Sequence, residues 1–540
     1  MAETEFRVIG PPGCGKTTFL SREASKAVER YGSEQVMITS LTRTAAAEVA
    51  GRDIAINPDR IGTLHAHAFR ALGFPEIAED KKRIEQWNEE TPAWKMTPPD
   101  SSPSADGDDG ADKSFGDLPG DEAFSSLNRL RAMKIPEEYW PTIVRKFAGR
   151  WKEWKDAHGY YDFTDLIHHA RDIWQAPGKP KVIFVDEAQD HDRLELDLVR
   201  RWGSEDRGVE RLIIVGDPDQ NLYEWRGSEP EAFYATEIPD SNKLTLSQSY
   251  RVPHAVWHRA TEWIEKIPGR DPVEYWPTDE AGDSREDAYL MLKDSPGLLR
   301  DAEQYLAEGK SVMFLTTCAY MLEPLRQELR AAGIPFHNPY RRRADWNPLN
   351  PPVRGTATID RFRSYVSPMI ESEPYKYPWS VGEVQSWSEA LVRIFPRGGR
   401  QQFMDLQPDQ AFTPEMIDKY FKPDSDPYMM YNVEAGDTEW YRSHLRSGAN
   451  LDYAARVLQA QGASALFEAP QIQIGTIHSV KGGEADVVYL FPDISYQGRN
   501  ANLTREGANA TIRQFYVGMT RAKETLILAG ASSKLGVSWR

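Results

Sequence analysis

The sequence predicts an α/β protein with two parallel sheets, each flanked by helices and each interrupted by an insertion. Three observations lead there. Short apolar runs such as Val182-Ile183-Phe184-Val185 and Leu212-Ile213-Ile214-Val215 alternate with helical segments, and each run ends in acidic residues. A glycine-rich turn, Gly10-Pro11-Pro12-Gly13-Cys14-Gly15, follows the first apolar run directly and leads into a helical stretch. The alternation then returns in different form, with apolar runs at 311–316, 471–476, 487–490 and 525–528.

Taken in chain order, residues 6–9 read as the first strand, 16–31 as a helix, 36–40 as a second strand and 44–50 as a helix. A polar, mostly helical region then runs to Lys181. It contains an acidic Ser/Pro/Gly/Asp-rich stretch at about 97–120 that includes Asp106, Asp108, Asp109 and Asp112. That composition reads as a solvated, disordered loop. The strands 182–185 and 212–215 complete the first sheet. Between 340 and 470 lies an insertion rich in Trp, Tyr, Arg and Pro. The expected division is 1–74 with 156–244 for the first core, 75–155 for its insertion, 245–340 with 466–540 for the second core, and 341–465 for a reduced or divergent second insertion. No internal repeat is visible.

A chain of 540 residues exceeds one ordinary core. No apolar run approaches the roughly 20 residues of a membrane span, and Met1-Ala2-Glu3-Thr4-Glu5 does not resemble a signal peptide. The two cysteines, Cys14 and Cys318, make a disulfide framework or cysteine-based zinc site an unsuitable reading, and the cytoplasm is the expected compartment. His65, His478 and the pair His168-His169 fall into no zinc-binding spacing. A net charge of −17 argues at face value against a nucleic-acid partner. Local basic groups, Arg341-Arg342-Arg343 and Arg393, Arg397 and Arg400, weaken that objection, because a strand-binding groove needs local positive charge only.

Gly10 to Thr17 fits G-x-x-x-x-G-K-[ST] between a strand and a helix. In that setting backbone amides of Gly13, Cys14, Gly15, Lys16, Thr17 and Thr18 wrap phosphates, Lys16 neutralises the outer ones, and the Thr17 hydroxyl ligates Mg²⁺. Val182-Ile183-Phe184-Val185-Asp186-Glu187 supplies the complementary part: Asp186 for the metal and Glu187 for the water that attacks the γ-phosphate of ATP.

These stretches resemble superfamily-1 helicases of the UvrD/Rep type, whose cores are RecA-like, and further segments extend the resemblance in order. They are Ile38 to Ala46, Gly62 to Phe69, Asp162 to Leu166, Gly216 to Gly227, Leu246 to Arg251, Thr476 to Glu484 and Tyr516 to Lys523. Together they anchor both α/β cores but neither insertion. The resemblance implies roles by position. Gln220 senses the γ-phosphate, Arg251 and Arg521 act as arginine fingers, Tyr250 stacks on the adenine and Glu484 holds the ribose. Thr42, Thr63, His65, Tyr223, Trp225, Arg226, Thr476 and His478 fall on the nucleic-acid side, with Tyr223 and Trp225 stacking on bases. The competing reading of those aromatics is ordinary packing, as it is for most of the 16 tryptophans.

The implied function is an ATP-dependent, Mg²⁺-requiring translocase or helicase on single-stranded or tailed duplex DNA, with 3′-to-5′ polarity by analogy to the subgroup. The alternative is a DNA-stimulated ATPase switch that serves a nuclease or a repair or defence partner without unwinding. A P-loop kinase or transporter ATPase leaves the later motifs unexplained. The sequence departs from the family pattern in several places. Thr18 replaces an Arg that frequently follows the P-loop, Leu41 replaces a stacking Phe, and the insertion at 341–465 is short. The usual adenine-reading glutamine segment is not found before the first strand. The acidic stretch also admits a sharper reading, a flap that imitates DNA.

Overall fold

The computed structural model describes residues 4–41, 55–99, 118–341, 343–352, 355–370 and 379–540. The expected helix at 44–50, Thr42, Arg342 and most of the acidic stretch lie outside them.

Strands β1 (Glu5–Ile9), β2 (Val36–Ser40), β3 (Ile61–Thr63), β4 (Val182–Val185), β5 (Arg211–Gly216) and β6 (Lys243–Thr245) form one sheet in the order β3-β2-β4-β5-β1-β6. All its pairings are parallel. Alternation with period two splits the central strands between two cores. Val36, Ile38, Val182, Phe184, Ile213 and Val215 join Leu20 and Ala24 of the helix Lys16–Tyr31 on one face. Met37, Ile183, Val185, Leu212 and Ile214 join Leu64, Leu166, Leu198 and Trp202 on the other. Burial on both faces explains why β4 and β5 read as continuous apolar runs. The order brings the carboxyl ends of β4, β5 and β1 side by side, where ligands of parallel sheets bind.

The second sheet contains β7 (Asp283–Asp287), β8 (Val312–Thr316), β9 (Phe336–His337), β10 (Ile472–Thr476), β11 (Ala485–Leu490) and β12 (Ala522–Ala529), in the order β7-β12-β11-β8-β10-β9. Strand β12 pairs in parallel with both β11 and β7. The fold is thus α/β with two parallel sheets flanked by helices. By compactness the chain divides into one unit of Met1–Tyr289, Leu315–Ala319 and Thr476–Arg540, and another of Leu290–Phe314 and Tyr320–Gly475. Strand β8 passes from one to the other.

Four strands escape a reading by hydropathy, namely β3, β6, β7 and β9. Strand β6 is exposed throughout, and β7 is Asp-Ser-Arg-Glu-Asp at the sheet edge. Backbone pairing makes these strands, whereas side-chain burial made the others legible.

In the larger unit, the helices Lys81–Glu90, Pro119–Ala132 and Thr142–His158 enclose Trp87, Phe147, Trp151 and Trp154. A buried charge network ties them to the helix Phe163–Ala170. Asp162 accepts from Arg131 at 2.9 Å, from Lys155 at 2.5 Å and from the Trp151 indole at 2.9 Å. In the smaller unit, short helices from Thr358–Val366 to Asp452–Gln461 pack around Tyr365, Trp379, Trp387, Trp440 and Tyr441, with Tyr365 and Tyr441 stacked at 4.4 Å. No helix among the described residues is long and apolar enough to cross a membrane.

Candidate functional site

The Gly10 amide donates to the Gly216 carbonyl at 3.1 Å, and the chain then leaves the sheet. Gly13 and Gly15 have φ of 77° and 75°, the left-handed region that glycine enters without steric cost. A Cβ on Gly13 would also lie 2.6 Å from Ser249 Oγ. The helix Lys16–Tyr31 begins with no side-chain cap, so its first N–H groups face outward from the loop as an anion-binding end. Lys16 Nζ donates to the Gly10 carbonyl at 2.6 Å. Thr17 is half-buried and Thr18 exposed. Burial pushes the Cys14 thiol up to about 12, so Cys14 is a packing residue rather than a nucleophile.

Beyond β4, the Asp186 amide donates to Thr39 O at 2.8 Å, and Asp186 is buried. Glu187 sits at φ 50°, a strained left-handed position for a non-glycine residue. Its amide donates to Asp186 Oδ1 at 3.0 Å, while Gln189 Nε2 donates to its Oε2 at 2.5 Å. Burial alone would raise the Glu187 carboxyl. Lys481, Lys16, the Gln189 amide and Arg521 outweigh that effect and hold it at about 2, so it is ionised at neutral pH. Lys481 Nζ lies 3.6 Å from Glu187 Oε2 and bonds Asp190 directly. Burial, together with the Glu187 charge, raises Asp190 to about 6 against the pull of Lys481.

The loop after β5 closes the arrangement. Gln220 Nε2 donates to Asp217 Oδ2 at 2.6 Å, and Gln220 Oε1 accepts from Arg521 Nη2 at 3.3 Å. Gln189 Oε1 accepts the Asp217 amide at 2.9 Å, linking the loops after β4 and β5. Arg521 is buried and also donates to Val517 O and Gly483 O. From the segment after β6, Ser249 Oγ donates to Pro12 O at 3.0 Å and the Tyr250 amide to Gly13 O at 2.9 Å. The Tyr250 ring is 78% exposed and lies beside Gly15. Arg251 Nη1 is 3.8 Å from Glu484, and its Nε is buried without a hydrogen-bond partner.

Sequence reasoning overlooked Gln189, Ser249, Tyr275 and Lys481 as site residues. Gln189 and Lys481 lie inside motifs and were discoverable. Tyr275, whose hydroxyl donates to Pro12 O at 3.0 Å, carries no sequence signal.

The expected nucleic-acid residues divide. Trp225 is 37% exposed, and Arg226 and His65 are partly exposed. Thr63 caps the helix Leu64–Ala71, its Oγ1 accepting from Ala66 N at 3.2 Å. Tyr223, Thr476 and His478 are buried. The Tyr223 ring packs edge-on against His478 at 6.1 Å. Thr476 Oγ1 accepts the Ser479 amide, and His478 Nε2 is bonded to Leu222 O at 3.0 Å. Glu195 contacts His191 at 3.0 Å and His65 at 3.4 Å, which accounts for His65 without a metal.

A family model described as the UvrD/REP helicase N-terminal domain matches residues 1–238, and one described as the UvrD-like helicase C-terminal domain matches residues 453–533. This chain belongs to the UvrD-like helicases. YjcD of Bacillus subtilis (strain 168), provisionally named an ATP-dependent DNA helicase, is 22% identical in an alignment covering 99% of this chain and 78% of YjcD. The ATP-dependent DNA helicase PcrA of Staphylococcus aureus (strain Mu50) is 24% identical over 38% of this chain and 30% of its own length. DNA helicase II of Salmonella typhimurium (strain LT2) is 29% identical over 26% of this chain and 20% of its own length. Between the two UvrD-like segments lies 239–452, which neither family model matches and which includes the aromatic helical insertion.

Proposed function

We propose that this UvrD-like helicase hydrolyses ATP in response to single-stranded DNA, moves 3′-to-5′ along it and separates strands ahead. The observation that carries the reading is the continuous bonded path Asp217–Gln220–Arg521, in which Gln220 lies five residues before the exposed Trp225. One short loop thereby serves a phosphate-sensing group and a strand-facing indole.

The residues fit a bound nucleotide. The left-handed glycines, the uncapped helix start and the unpartnered Arg251 Nε form an anion cradle. ATP supplies a γ-phosphoryl group that water can accept. Lys16 and the loop amides hold the phosphates, Tyr250 offers its exposed ring to the base, and Glu484 faces the sugar. No three of His, Cys, Asp and Glu gather as a preformed cage among the described residues. Asp186 and Thr17 would therefore share Mg²⁺ with phosphate oxygens and water, as is usual for this ion. Glu187 Oε orients the attacking water and accepts its proton, a role that needs the ionised carboxylate described above. Arg251 and Arg521 neutralise charge on the phosphoryl oxygens as the bond to the leaving group lengthens. The two sheets act as two RecA-like cores, with 75–155 and 341–465 as their insertions.

The test is hydrolysis with and without single-stranded DNA, alongside unwinding of 3′-tailed, 5′-tailed and blunt duplexes. Stimulated hydrolysis with unwinding of the 3′-tailed substrate is expected. Glu187→Gln should lower turnover by about 10²-fold or more while nucleotide affinity stays close to the parent's. Hydrolysis indifferent to DNA would overturn the proposal, and stimulation without unwinding on any tail would leave the non-unwinding switch.

A further inference from the structure

The loop after β5 and the helix Arg505–Met519 with its following turn are clasped at three successive points. At the nucleotide end Arg521 meets Gln220 Oε1 at 3.3 Å. In the middle, His478 Nε2 is bonded to Leu222 O at 3.0 Å, and Gln514 of the helix contacts His478 Nδ1 at 3.3 Å. At the far end Arg513 Nη1 donates to Glu224 Oε1 at 2.6 Å. The third clasp belongs to neither the phosphate chemistry nor the strand-stacking set. Its side chains are only 10% and 18% exposed, so the pair is sheltered from the solvent screening that makes most surface ion pairs nearly neutral. Glu224 also opens the 3₁₀ turn Glu224–Arg226, so its carboxylate is fixed to the backbone that carries Trp225. Arg513 lies on that helix, eight residues before Arg521, which follows the last helical residue, Met519, by two.

We propose that the Glu224–Arg513 ion pair is the coupling clasp of this ATPase: it transmits the position of the Trp225 turn to the helix that aims Arg521. The proposal rests on strand-stimulated hydrolysis as argued above. A base stacked on Trp225 shifts or steadies the turn. Glu224 carries that displacement to Arg513, and the helix delivers it to the guanidinium that bonds Gln220. With the clasp broken, the turn still binds a strand and the nucleotide site keeps its own bonds, but the two no longer answer to each other. Both members are positioning residues, since neither touches nucleotide or strand.

The experiment measures hydrolysis by the full chain with and without oligothymidylate for the parent, Glu224→Gln, Arg513→Gln and the exchanged pair Glu224→Arg/Arg513→Glu. Basal turnover should stay near the parental value in all four. Each single variant should lose about fivefold to tenfold of the strand-stimulated turnover, with little change in the oligonucleotide concentration for half-stimulation. The exchanged pair should recover part of the loss, which simple damage to packing would not allow. Basal and stimulated rates falling in the same proportion, or no recovery on exchange, would overturn the clasp. Should a single variant unfold, the doubly shortened Glu224→Asp/Arg513→Lys, which keeps both charges but cannot span the direct contact, provides the comparison, and an unchanged stimulation ratio in it would also overturn the clasp. A parent indifferent to oligothymidylate would instead remove the function proposed above, and the clasp with it.

Discussion

Glu187 combines a strained backbone with a carboxylate that several donors and cations keep ionised. Lys481 is the largest of the opposing charges. Replacing it with Met lets burial act unopposed by that ammonium, so the half-buried Glu187 and buried Asp190 carboxyls bind a proton nearer neutrality. The acid limb of the pH profile for strand-stimulated hydrolysis should therefore move upward in Lys481→Met and stay in place in Lys481→Arg. An acid limb unmoved in Lys481→Met would show that Lys481 does not govern that ionisation. Legibility at this scale followed chemistry. Lys16, Asp186 and Glu187 stand out because the motifs proposed to bind phosphate and metal fix those residue types and their spacing. Tyr275 does not, because any donor reaching Pro12 O would serve. Tyr223 and Trp225 show what spacing does not reveal: an aromatic beside an exposed one need not share its exposure.

Between elements, the joint of the helices Pro119–Ala132, Thr142–His158 and Phe163–Ala170 rests on Asp162. Burial alone would raise its carboxyl, but Arg131, Lys155 and the Trp151 indole hold it at about 2, below the ordinary 3.8. With its folded value depressed, the stabilisation it contributes is complete above the unfolded value and disappears as pH falls through the folded one. Arg131→Ala leaves the buried charge short of a partner and should cost about 3 kcal/mol in urea unfolding at neutral pH. The acid-induced loss tied to Asp162 should also be smaller and end at higher pH than in the parent, and a parental urea midpoint at both neutral and mildly acidic pH would contradict this account. Elements were legible where side chains are buried on both faces, as in β4 and β5. They were illegible where only backbone bonds define them, as in β6 and β7.

For the molecule as a whole, the net charge of −17 and the binding of a polyanion are compatible only if contacts are local. Affinity for single-stranded DNA should therefore fall with rising salt, the logarithmic slope changing by about 0.7 per phosphate contact. Trp225→Ala should weaken binding by about 1–3 kcal/mol while keeping that slope, because stacking releases no counterions. A parental affinity in Trp225→Ala would assign the indole to packing. The fold class was legible from alternating runs, but the order of the second sheet was not, since no pattern says that β12 inserts between β7 and β11. That order has a consequence for synthesis. The first sheet has all its strands once Thr245 has left the ribosome, whereas β7 and β11 wait for residues 522–529 before their shared neighbour exists. At about 5–20 residues per second, β7 waits tens of seconds for that strand and β11 only several seconds. The charged side chains of β7, Asp-Ser-Arg-Glu-Asp, are of the kind that discourage an unfilled edge from pairing with foreign strands.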